Sequence, residues 1–431
     1  MSLKERINTA NAEAFRRITA ADPVLVDVAP AAEVIPGMRD RLILHSGPPI
    51  TWDRMCGAQR GAAIGMCLFE GWARTAEEAE RMLSSGEIAL EPNHQHRSVG
   101  PMAGTITPNM WVWVVENKAF GNVAYCRQVE SYQQFGDYSP RALEALAKWR
   151  DVWAPSLRAV IRKMGGIPLK QLVARALMMG DEMHNRVVAA SSIFANAIAP
   201  VLVTCDVPKE HVVDTLYYIG NHPFLFLGLS MAAAKAAVDP ARGIEGSTVV
   251  TAMSRNGTDF GIQVSALDGE WFTAPAPRVN GLLLPGSREE DAGLDMGDSA
   301  ITETVGWGGF VIGGAPGILN FTGGTAEQAL AFSREMHSIC VGTSPDYLIP
   351  ALNFQGTAVG IDIRKVVQTN VVPVIDTAIA HKEPGHGIIG GGIVRPPLEC
   401  FTKALTRFRE RSDAWSEKPS SERTDTLIRS F

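Results

Sequence analysis

The chain has 431 residues, of which 46% are hydrophobic and 20% are charged, and this balance is typical of globular proteins rather than disordered or fibrous chains. Its 40 basic and 46 acidic side chains give a formal net charge of -6 without any basic block, so nucleic acid is not an expected partner. A chain of this length exceeds one ordinary hydrophobic core, so we expect a multidomain protein.

The N-terminal sequence and the cysteines indicate a cytoplasmic protein. The first 18 residues are charged and amphipathic without an apolar signal core, and the longest apolar run, residues 223–238, is too short to span a membrane and contains Lys235. The six cysteines are widely scattered, without the close pairs of a zinc ribbon or a redox motif. We therefore expect reduced thiols and no membrane association.

The first third of the chain mixes strand and helix patterns, so residues 1–138 are predicted to form an N-terminal α/β unit. Short apolar and β-branched runs indicate strands, and the capping box of Thr75 with Glu78 indicates the start of a helix. The predicted elements are an N-terminal helix, strands at residues 23–30, 41–47 and 111–116, a helix within residues 54–73, and a helix from Thr75 to about Gly86.

In the rest of the chain, the spacing of the hydrophobic residues changes twice. Residues 139–240 have helical periodicity and are predicted to form a small helical unit. Residues 241–400 alternate with a period of two amid many glycines, which predicts a β-rich unit with a few helices. Residues 401–431 are mostly polar and are predicted to be a surface tail. The expected fold class is therefore α+β, with several units.

The run GDEMHNR, residues 180–186, separates two predicted helices. Gly180 is suited to end the first helix in the left-handed conformation, and Asp181 is suited to cap the second, because an Asp side chain accepts from the free amides of a first helical turn. Glu182 and Arg186 then stand four residues apart as a surface ion pair. On this structural interpretation, the run is a well-capped helix start.

The same run also predicts an anion site. A helix N-terminus offers unsatisfied N–H groups and the positive end of the helix dipole, which favour an anion or a developing oxyanion. The ring of His184 changes its charge near physiological pH and is therefore able to move a proton there. We take His184, Glu182 and Asn185 as candidate catalytic residues, and Arg186 as a candidate substrate-binding residue.

The run SRNGTDFGI, residues 254–262, contains an Asn-Gly pair between two alternating segments, which predicts a tight β-hairpin. The hairpin alone is enough to explain these residue types. A second interpretation is that the two rigid strands hold the polar side chains of the tip against a ligand. On that interpretation Arg255, Asn256 and Asp259 are candidate substrate-binding residues.

The run HKEPGHGIIGGG, residues 381–392, has three glycines with the spacing of a dinucleotide-binding fingerprint. Two more glycines and two prolines follow where that fingerprint requires a helix, so a Rossmann nucleotide site is excluded. The loop is either a solvated turn or a site whose amides and cations bind an oxyanion or a carboxylate. The second alternative makes His386 a candidate catalytic residue and His381 and Lys382 candidate substrate-binding residues.

A second glycine-rich run, residues 306–317, lacks the Lys-Ser/Thr ending of a P-loop, so ATP hydrolysis is not expected. Upstream of it, Asp298 and Glu303 are either paired carboxylates or parts of an ordinary turn and helix start.

Two further motifs allow a functional or a plain structural interpretation. His94 and His96 form a His-x-His pair, the spacing by which a strand directs two ligands to one metal, although the neighbouring Pro and Asn favour a loop. They are the weak candidates for a metal site in a protein for which we expect no cofactor. Glu116 and Lys118 follow the aromatic strand, where they either contact substrate or form a simple turn.

Six stretches in this order resemble the signature sequences of the bacterial YlbE-like proteins, and the resemblance covers residues 22–397. The six stretches are HSGPPITWDRMCG, GPMAGTITP, VVENKAFGN, MGDEMHNR, SRNGTDFGI and GHGIIGGGIVRPP.

The resemblance implies a multidomain α+β fold and a role in ureide nitrogen catabolism, as in purine and allantoin breakdown. Members are encoded beside FdrA-like proteins and a small third partner. Together such proteins are associated with oxamate carbamoyltransferase, in which oxalurate and phosphate give oxamate and carbamoyl phosphate. The resemblance assigns no role to any single residue here. We also expect the protein to be a homo-oligomer and to be cytoplasmic.

Three functions remain open at this point. The first is a carbamoyltransferase subunit that binds phosphate and a small ureide or oxamate-type anion. The second is a free-standing amidohydrolase of a small ureide, with a metal at His94 and His96 as one possibility. The third is a non-catalytic subunit that shapes a complex. The Ser-Thr-Arg-Thr phosphate loop of aspartate and ornithine carbamoyltransferases is absent from the sequence.

Overall fold

The structure is a computed structural model that describes residues 2–129 and 132–417. It mixes helices with several small sheets, so the expected α+β fold class is confirmed. None of the described helices combines the length and the apolarity that are needed to cross a bilayer. All six cysteines are free thiols.

The described helices are α1 (Leu3–Ala20), α2 (Ala31–Val34), α3 (Gly57–Glu70), α4 (Ala76–Ser85), α5 (Pro140–Lys148), α6 (Ala154–Met164), α7 (Leu169–Met178), α8 (Val188–Leu202), α9 (Lys209–Asn221), α10 (Leu227–Val238), α11 (Ile301–Thr304), α12 (Leu319–Thr322), α13 (Ala326–Met336), α14 (Ile363–Thr369) and α15 (Leu398–Glu417). The described strands are β1 (Pro23–Pro30), β2 (Leu42–His45), β3 (Ala89–Pro92), β4 (Ser98–Val99), β5 (Trp111–Asn117), β6 (Val123–Arg127), β7 (Ile167–Pro168), β8 (Val250–Asn256), β9 (Asp259–Val264), β10 (Phe272–Pro275), β11 (Asn280–Leu283), β12 (Met296–Gly297), β13 (Cys340–Ile349), β14 (Gln355–Ile361), β15 (Ile375–Ala380) and β16 (Ile388–Val394).

The largest sheet has five strands in the order β4-β6-β5-β1-β7. Helix α10 packs on β5 and β6, and every residue of α10 is buried because both of its faces contact protein. One hydrophobic cluster runs from α1 through this sheet and into helices α6, α7 and α8. The segment predicted as a helical unit therefore shares its core with the N-terminal sheet, and its status as a separate domain stays a prediction.

The second half of the described chain contains the smaller sheets. A four-stranded sheet has the order β10-β9-β8-β12, and a three-stranded sheet has the order β11-β16-β15. Strands β8 and β9 form the hairpin that the Asn-Gly pair predicts, with Gly257 at a φ of +77°. This φ is accessible to glycine without the steric cost that a Cβ brings.

Most predicted elements are present, including the helix capped by Thr75, whose hydroxyl accepts from the backbone of Glu78. The C-terminal prediction is wrong in part. The predicted polar tail starts at position 401, which lies inside α15. Phe401 and Phe408 of this helix are buried against the β-rich core. Residues 418–431 of the predicted tail lie outside the described residues.

Asp298 links segments that are far apart in sequence. Its carboxylate is fully buried and accepts hydrogen bonds from the backbone N–H groups of Gly47 and Gly100, from Asn93 Nδ2, each at 2.9 Å, and from the hydroxyl of Ser254. Four donors converge on one charge, which offsets the loss of hydration on burial. Asp298 therefore joins the N-terminal loops to the β8–β9 hairpin.

We expect Asp298→Ala to lower the free energy of unfolding by at least about 3 kcal/mol, since it leaves several buried donors without an acceptor. Urea unfolding followed by circular dichroism measures this loss. The matched control is Glu270→Ala, which removes an exposed carboxylate 2.9 Å from Arg407 Nε, and which should change the stability by less than about 1 kcal/mol. Equal losses in the two variants would contradict the linking role of Asp298.

Candidate functional site

The turn at residues 180–187 connects α7 to α8 and differs from the predicted helix start. Gly180 has a φ of +89° and follows α7, as expected, but α8 begins only at Val188. Asp181 does bind the start of α8, because its Oδ2 accepts from the N–H of Ala190 at 2.8 Å. The intervening residues are folded back on themselves rather than helical.

Glu182 holds this turn together. Its carboxylate is fully buried and accepts from the backbone N–H groups of His184 at 2.8 Å, of Asn185 at 2.5 Å and of Arg186. The predicted surface ion pair between Glu182 and Arg186 is therefore wrong, because the carboxylate points into the turn. The guanidinium of Arg186 instead donates to the carbonyl of Gly180 at 3.0 Å.

The turn places His184 against two acidic residues from distant parts of the chain. His184 Nδ1 lies 2.9 Å from Glu303 Oε1 and 3.9 Å from Asp376 Oδ1. Glu303 belongs to α11 and Asp376 to β15, and the side chains of all three residues are buried. Asn185 Nδ2 donates to Asp376 Oδ2 at 3.0 Å. We call His184, Glu303 and Asp376 the acidic-histidine cluster.

The second glycine-rich run closes over this cluster. Gly308 donates to the carbonyl of Glu182 at 2.7 Å, and Gly309 donates to Glu303 Oε1 at 3.1 Å. Gly308 has a φ of +61°, and a Cβ there would lie 2.1 Å from Glu303 Oε1 and 3.2 Å from Asp376 Oδ1. The glycine run therefore packs closely against the carboxylate of Glu303, where a side chain at position 308 would clash.

Burial and mutual charge shift the ionisation of the cluster. Burial raises the pKa of Asp376 to about 6, opposed by the nearby His184 and assisted by the charge of Glu303. Burial, and then the charge of Asp376, raise the pKa of Glu182 well above its ordinary value. Burial is the largest influence on the pKa of His184 and acts to lower it, but the charge and the hydrogen bond of Glu303, together with the charge of Asp376, outweigh burial and raise the pKa. The cluster therefore holds more protons near neutral pH than isolated side chains would.

A cavity of about 230 Å³ opens beside the cluster, and His184 and Asn185 line it. This volume is below the roughly 300 to 1,000 Å³ of pockets for drug-sized ligands, so the cavity suits a small molecule. Its walls are mainly apolar, with a few polar groups, and His184 is the only titratable residue in the described lining. The other lining residues are Pro101, Met102, Val129, Gln134, Phe135, Pro223, Phe224, Leu227, Ser299, Thr377, Ala378 and Ile388.

Arg255 supports the cavity wall from behind. Its guanidinium is fully buried and forms two bonds with Asp295, at 2.7 Å and 3.0 Å. The remaining donors reach the carbonyl of Gly297 at 2.7 Å and the hydroxyls of Thr377 at 3.0 Å and Ser299 at 3.4 Å. Its five N–H groups are thus occupied, so Arg255 positions Thr377 and Ser299 rather than binding substrate as predicted.

The predicted loop at residues 381–387 lies at a second cavity, of about 200 Å³, whose lining includes Arg278, His381 and Lys382. His386 is exposed and stacks on His381 with ring centroids 4.2 Å apart. Lys382 Nζ donates to the carbonyl of Glu290 at 2.8 Å. The structure therefore does not place His381, Lys382 or His386 in the lining of the cavity beside His184, and their predicted roles stay untested.

The remaining residues of the predicted hairpin site form structural contacts. Asn256 is buried, and its Oδ1 accepts from the N–H groups of Thr258 at 3.0 Å and Asp259 at 2.7 Å. The carboxylate of Asp259 pairs with Arg54 at 2.8 Å. These contacts shape the hairpin tip, which lies outside the cavity lining.

Glu116 and Lys118 pair with each other at 2.5 Å on the surface at the end of β5. The pair lies outside the described lining of the cavity beside His184, so the structure supplies no substrate contact for either residue.

His94 and His96 do not share a ligand site in the structure. His96 lies 2.6 Å from Glu91 Oε2 and 2.8 Å from the carbonyl of Pro36. His94 is buried with its ring edge against Trp271 and has no hydrogen-bond partner, its Nε2 lying 3.6 Å from Asp298 Oδ1. In the described part of the chain, the group that could hold a metal is the acidic-histidine cluster, whose three ligand atoms lie within 4.8 Å of one another.

Two members of the site were not predicted in this role. Asp376 lies in a predicted strand in which polar and apolar residues alternate, and this alternation indicates a strand without indicating a catalytic residue. Glu303 was considered as a partner of Asp298, but each carboxylate belongs to a separate network. A carboxylate inside an otherwise apolar strand is the one sequence feature that could have indicated Asp376.

Comparisons with known proteins point to one family. Residues 88–299 match the family described as oxamate carbamoyltransferase subunit AllG. The oxamate carbamoyltransferase subunit AllG of Escherichia coli (strain K12) is 42% identical, over 93% of this chain and 97% of its own length. The uncharacterized protein YahG of the same strain is 44% identical, over 95% of this chain and 87% of its own length.

A solved structure is also similar throughout. The crystal structure of a conserved protein of unknown function from Enterococcus faecalis V583 matches with a TM-score of 0.93 and 43% sequence identity. The match covers 95% of this chain and 99% of that chain.

The packing of Gly308 generates a test of the cluster geometry. Gly308→Ala should lower the free energy of unfolding by about 3 kcal/mol or more, because a left-handed φ and a contact with Glu303 act together. Gly121→Ala is the matched control: its φ is +73° and a Cβ there would have no neighbour within 4 Å. The control should lose only about 1 kcal/mol in urea unfolding. Equal losses would show that the carboxylate is not held where the structure places it.

Proposed function

The chain belongs to the AllG family of oxamate carbamoyltransferase subunits, and on this premise we propose that it forms the reaction cavity of a complex that converts oxalurate and phosphate into oxamate and carbamoyl phosphate. The observation that carries the proposal is the position of His184, paired with the buried Glu303 at the edge of a small and mainly apolar cavity. Perturbed titratable groups beside a cavity are typical of active sites.

The reaction sets definite demands on such a cavity. A phosphate oxygen forms a bond to the carbamoyl carbon, the bond from that carbon to the oxamate nitrogen breaks, and this nitrogen takes a proton. The carbamoyl oxygen carries negative charge in the tetrahedral intermediate, so it needs fixed donors or a cation. No nucleophilic side chain is required, because phosphate itself attacks.

The cavity contains groups that meet part of these demands. Asn185, Ser299 and Thr377 supply hydrogen-bonding groups to its lining, and Arg255 and Asp376 hold them in place from behind. We assign the handling of the oxyanion and the proton to the acidic-histidine cluster as a unit. The apolar walls exclude water, which strengthens each of these interactions and protects carbamoyl phosphate from hydrolysis.

The cavity does not supply the cations that phosphate needs. Lys and Arg are absent from its described lining, and the guanidinium of Arg255 is fully engaged. Phosphate is usually bound by Arg or Lys side chains or by helix N-termini. We assign phosphate binding to the partner subunits, an FdrA-like protein and a small third protein, which explains why the family member is a subunit.

The test is reconstitution of the complex from this chain and those two partners. Carbamoyl phosphate formation from oxalurate should require phosphate and the partners. His184→Gln should lower the rate by about 100-fold or more, the scale of losing a group that handles a proton or an oxyanion.

His96→Gln is the control, because it removes a histidine that also pairs with a carboxylate but lies outside the cavity lining; its rate should stay within about twofold. Ureide breakdown without phosphate would identify a hydrolase instead. An unchanged rate in His184→Gln would show that the chemistry lies in a partner and that this chain is structural.

A further inference from the structure

The acidic-histidine cluster lacks the positive charge that its burial requires. Glu303 and Asp376 are fully buried, together with the neighbouring carboxylate of Glu182. Burying like charges together is costly unless cations or hydrogen-bond donors compensate them. Backbone N–H groups compensate Glu182, but Arg255, the nearby guanidinium, is bound to Asp295. Glu303 accepts from the N–H of Gly309 and the hydroxyl of Thr302, and Asp376 accepts from Asn185. Among the described residues, however, His184 is the one group within 4 Å of both carboxylates that is able to carry positive charge.

The shortage of positive charge is clearest at Asp376. Its Oδ2 accepts from Asn185 at 3.0 Å, whereas its Oδ1 is buried and has no hydrogen-bond partner. Buried carboxylate oxygens without a partner are rare and call for an explanation. This oxygen points toward His184, whose Nδ1 is 3.9 Å away. An additional positive centre between the two atoms would satisfy it.

A glycine fixes the position of the Glu303 carboxylate. A Cβ on Gly308 would lie 2.1 Å from Glu303 Oε1 and 3.2 Å from Asp376 Oδ1, so any side chain there would clash with Glu303 and displace its carboxylate from the cluster. The backbone there has a φ of +61°, which also favours glycine. The close approach of Gly308 therefore holds the Glu303 carboxylate in the cluster, together with the unpaired oxygen of Asp376.

We propose that His184, Glu303 and Asp376 bind one divalent cation, Mn²⁺ or Zn²⁺. One imidazole nitrogen and two carboxylate oxygens form a donor set that both ions accept. With bonds of about 2.1 Å, neighbouring ligand atoms around a tetrahedral ion lie about 3.4 Å apart. The separations of 2.9 Å and 3.9 Å from His184 Nδ1 bracket that value, so small side-chain rotations close the site.

The cation would also give the cavity a positive charge for the carboxylate of the ureide substrate, which the described lining lacks, and this step rests on the proposed function. Oxalurate and oxamate each carry a carboxylate beside an amide carbonyl, and the two oxygens can chelate one ion. His184 and Asn185 line the cavity, so an ion in the cluster faces a bound substrate. The substrate class is therefore a small α-carboxy amide, bound through the ion rather than through Arg or Lys.

Other His–carboxylate pairs in the described chain lack this arrangement. His96 contacts Glu91 and the carbonyl of Pro36, and His94 lies near Asp298, whose four donors already satisfy it. Neither pair has a third His, Cys, Asp or Glu within the described residues that completes a ligand group. The pair of His96 and Glu91 is therefore a suitable control.

The first experiment measures binding of MnCl₂ or ZnCl₂ to the full-length chain by isothermal titration calorimetry and by metal analysis after dialysis. We expect one equivalent per chain and a rise in the unfolding temperature when the metal is added. Asp376→Asn and Glu303→Gln keep the side-chain shape and should weaken binding by about 100-fold or more, while His96→Gln leaves it unchanged. Circular dichroism of the metal-free variants checks that they are folded.

A second measurement needs no variant. Crystals of the full-length chain grown with MnCl₂ should give an anomalous-scattering peak between His184, Glu303 and Asp376. Absence of binding at millimolar metal, or binding that survives in folded Asp376→Asn, would overturn the proposal and leave the cluster as a hydrogen-bonded group.

The two proposals fail in different ways. Metal bound at the cluster without carbamoyl phosphate formation by the reconstituted complex would contradict the function and retain the site. Product formation by a complex free of divalent metal would contradict the site and retain the function.

Discussion

The buried carboxylate of Glu182 is the constraint on which the site depends. By accepting the backbone N–H groups of three successive residues, it folds the segment after α7 into a tight turn and delays the start of α8 to Val188. His184 and Asn185 are thereby directed at Glu303 and Asp376, which arrive from a short helix and a buried strand. Glutamate side chains usually lie on the protein surface, but that of Glu182 organises the interior. The free-energy cost of removing its carboxylate from water is offset because three backbone N–H groups donate to it.

Rigidity behind the cavity comes from two further charge networks. Asp298 joins the loops after β2 and β4 to the β8–β9 hairpin, and Arg255 joins that hairpin to β12 and β15 through Asp295, Gly297 and Thr377. In each network several partners form hydrogen bonds with one buried charge. These bonds stabilise the charge and also hold the partner groups in fixed positions. Hydrogen bonds within the protein therefore fix the cavity wall, and polar groups such as Thr377 are in position before any substrate binds.

The sequence predicted the structure correctly where interactions within a few residues determine the local conformation. The Asn-Gly hairpin, the helix capped by Thr75 and the left-handed Gly180 follow from steric and hydrogen-bonding rules within a few residues. Within the cluster, the sequence predicted a catalytic role only for His184, because Glu303 and Asp376 join it across more than a hundred residues, and contacts between segments so far apart in sequence leave no periodic signal. Arg255 was predicted to bind substrate, and the sequence could not show that Asp295 binds its guanidinium from 40 residues away. Close packing, and neither a turn nor a nucleotide site, accounts for the glycines at 390–392. A Cβ at Gly391 would lie 2.1 Å from Phe321 of α12, and a Cβ at Gly390 or Gly392 would lie 2.2 Å or 2.3 Å from a carbonyl oxygen of β11.

The distribution of charge explains why such a chain works within a complex. The described lining of the cavity beside His184 has no Lys or Arg, and the buried carboxylates of Glu303 and Asp376 lie next to His184, whereas the exposed cations Arg278 and Lys382 line the second cavity. A reaction between two anions needs positive charge on both, and one interior cannot easily hold two such centres without paying a large desolvation cost. Under the proposed function, dividing the two centres between this cavity and a surface that a partner subunit completes would avoid that cost. On this view the acidic interior of this chain is suited to a chelated substrate, and the anionic co-substrate approaches from the partner side.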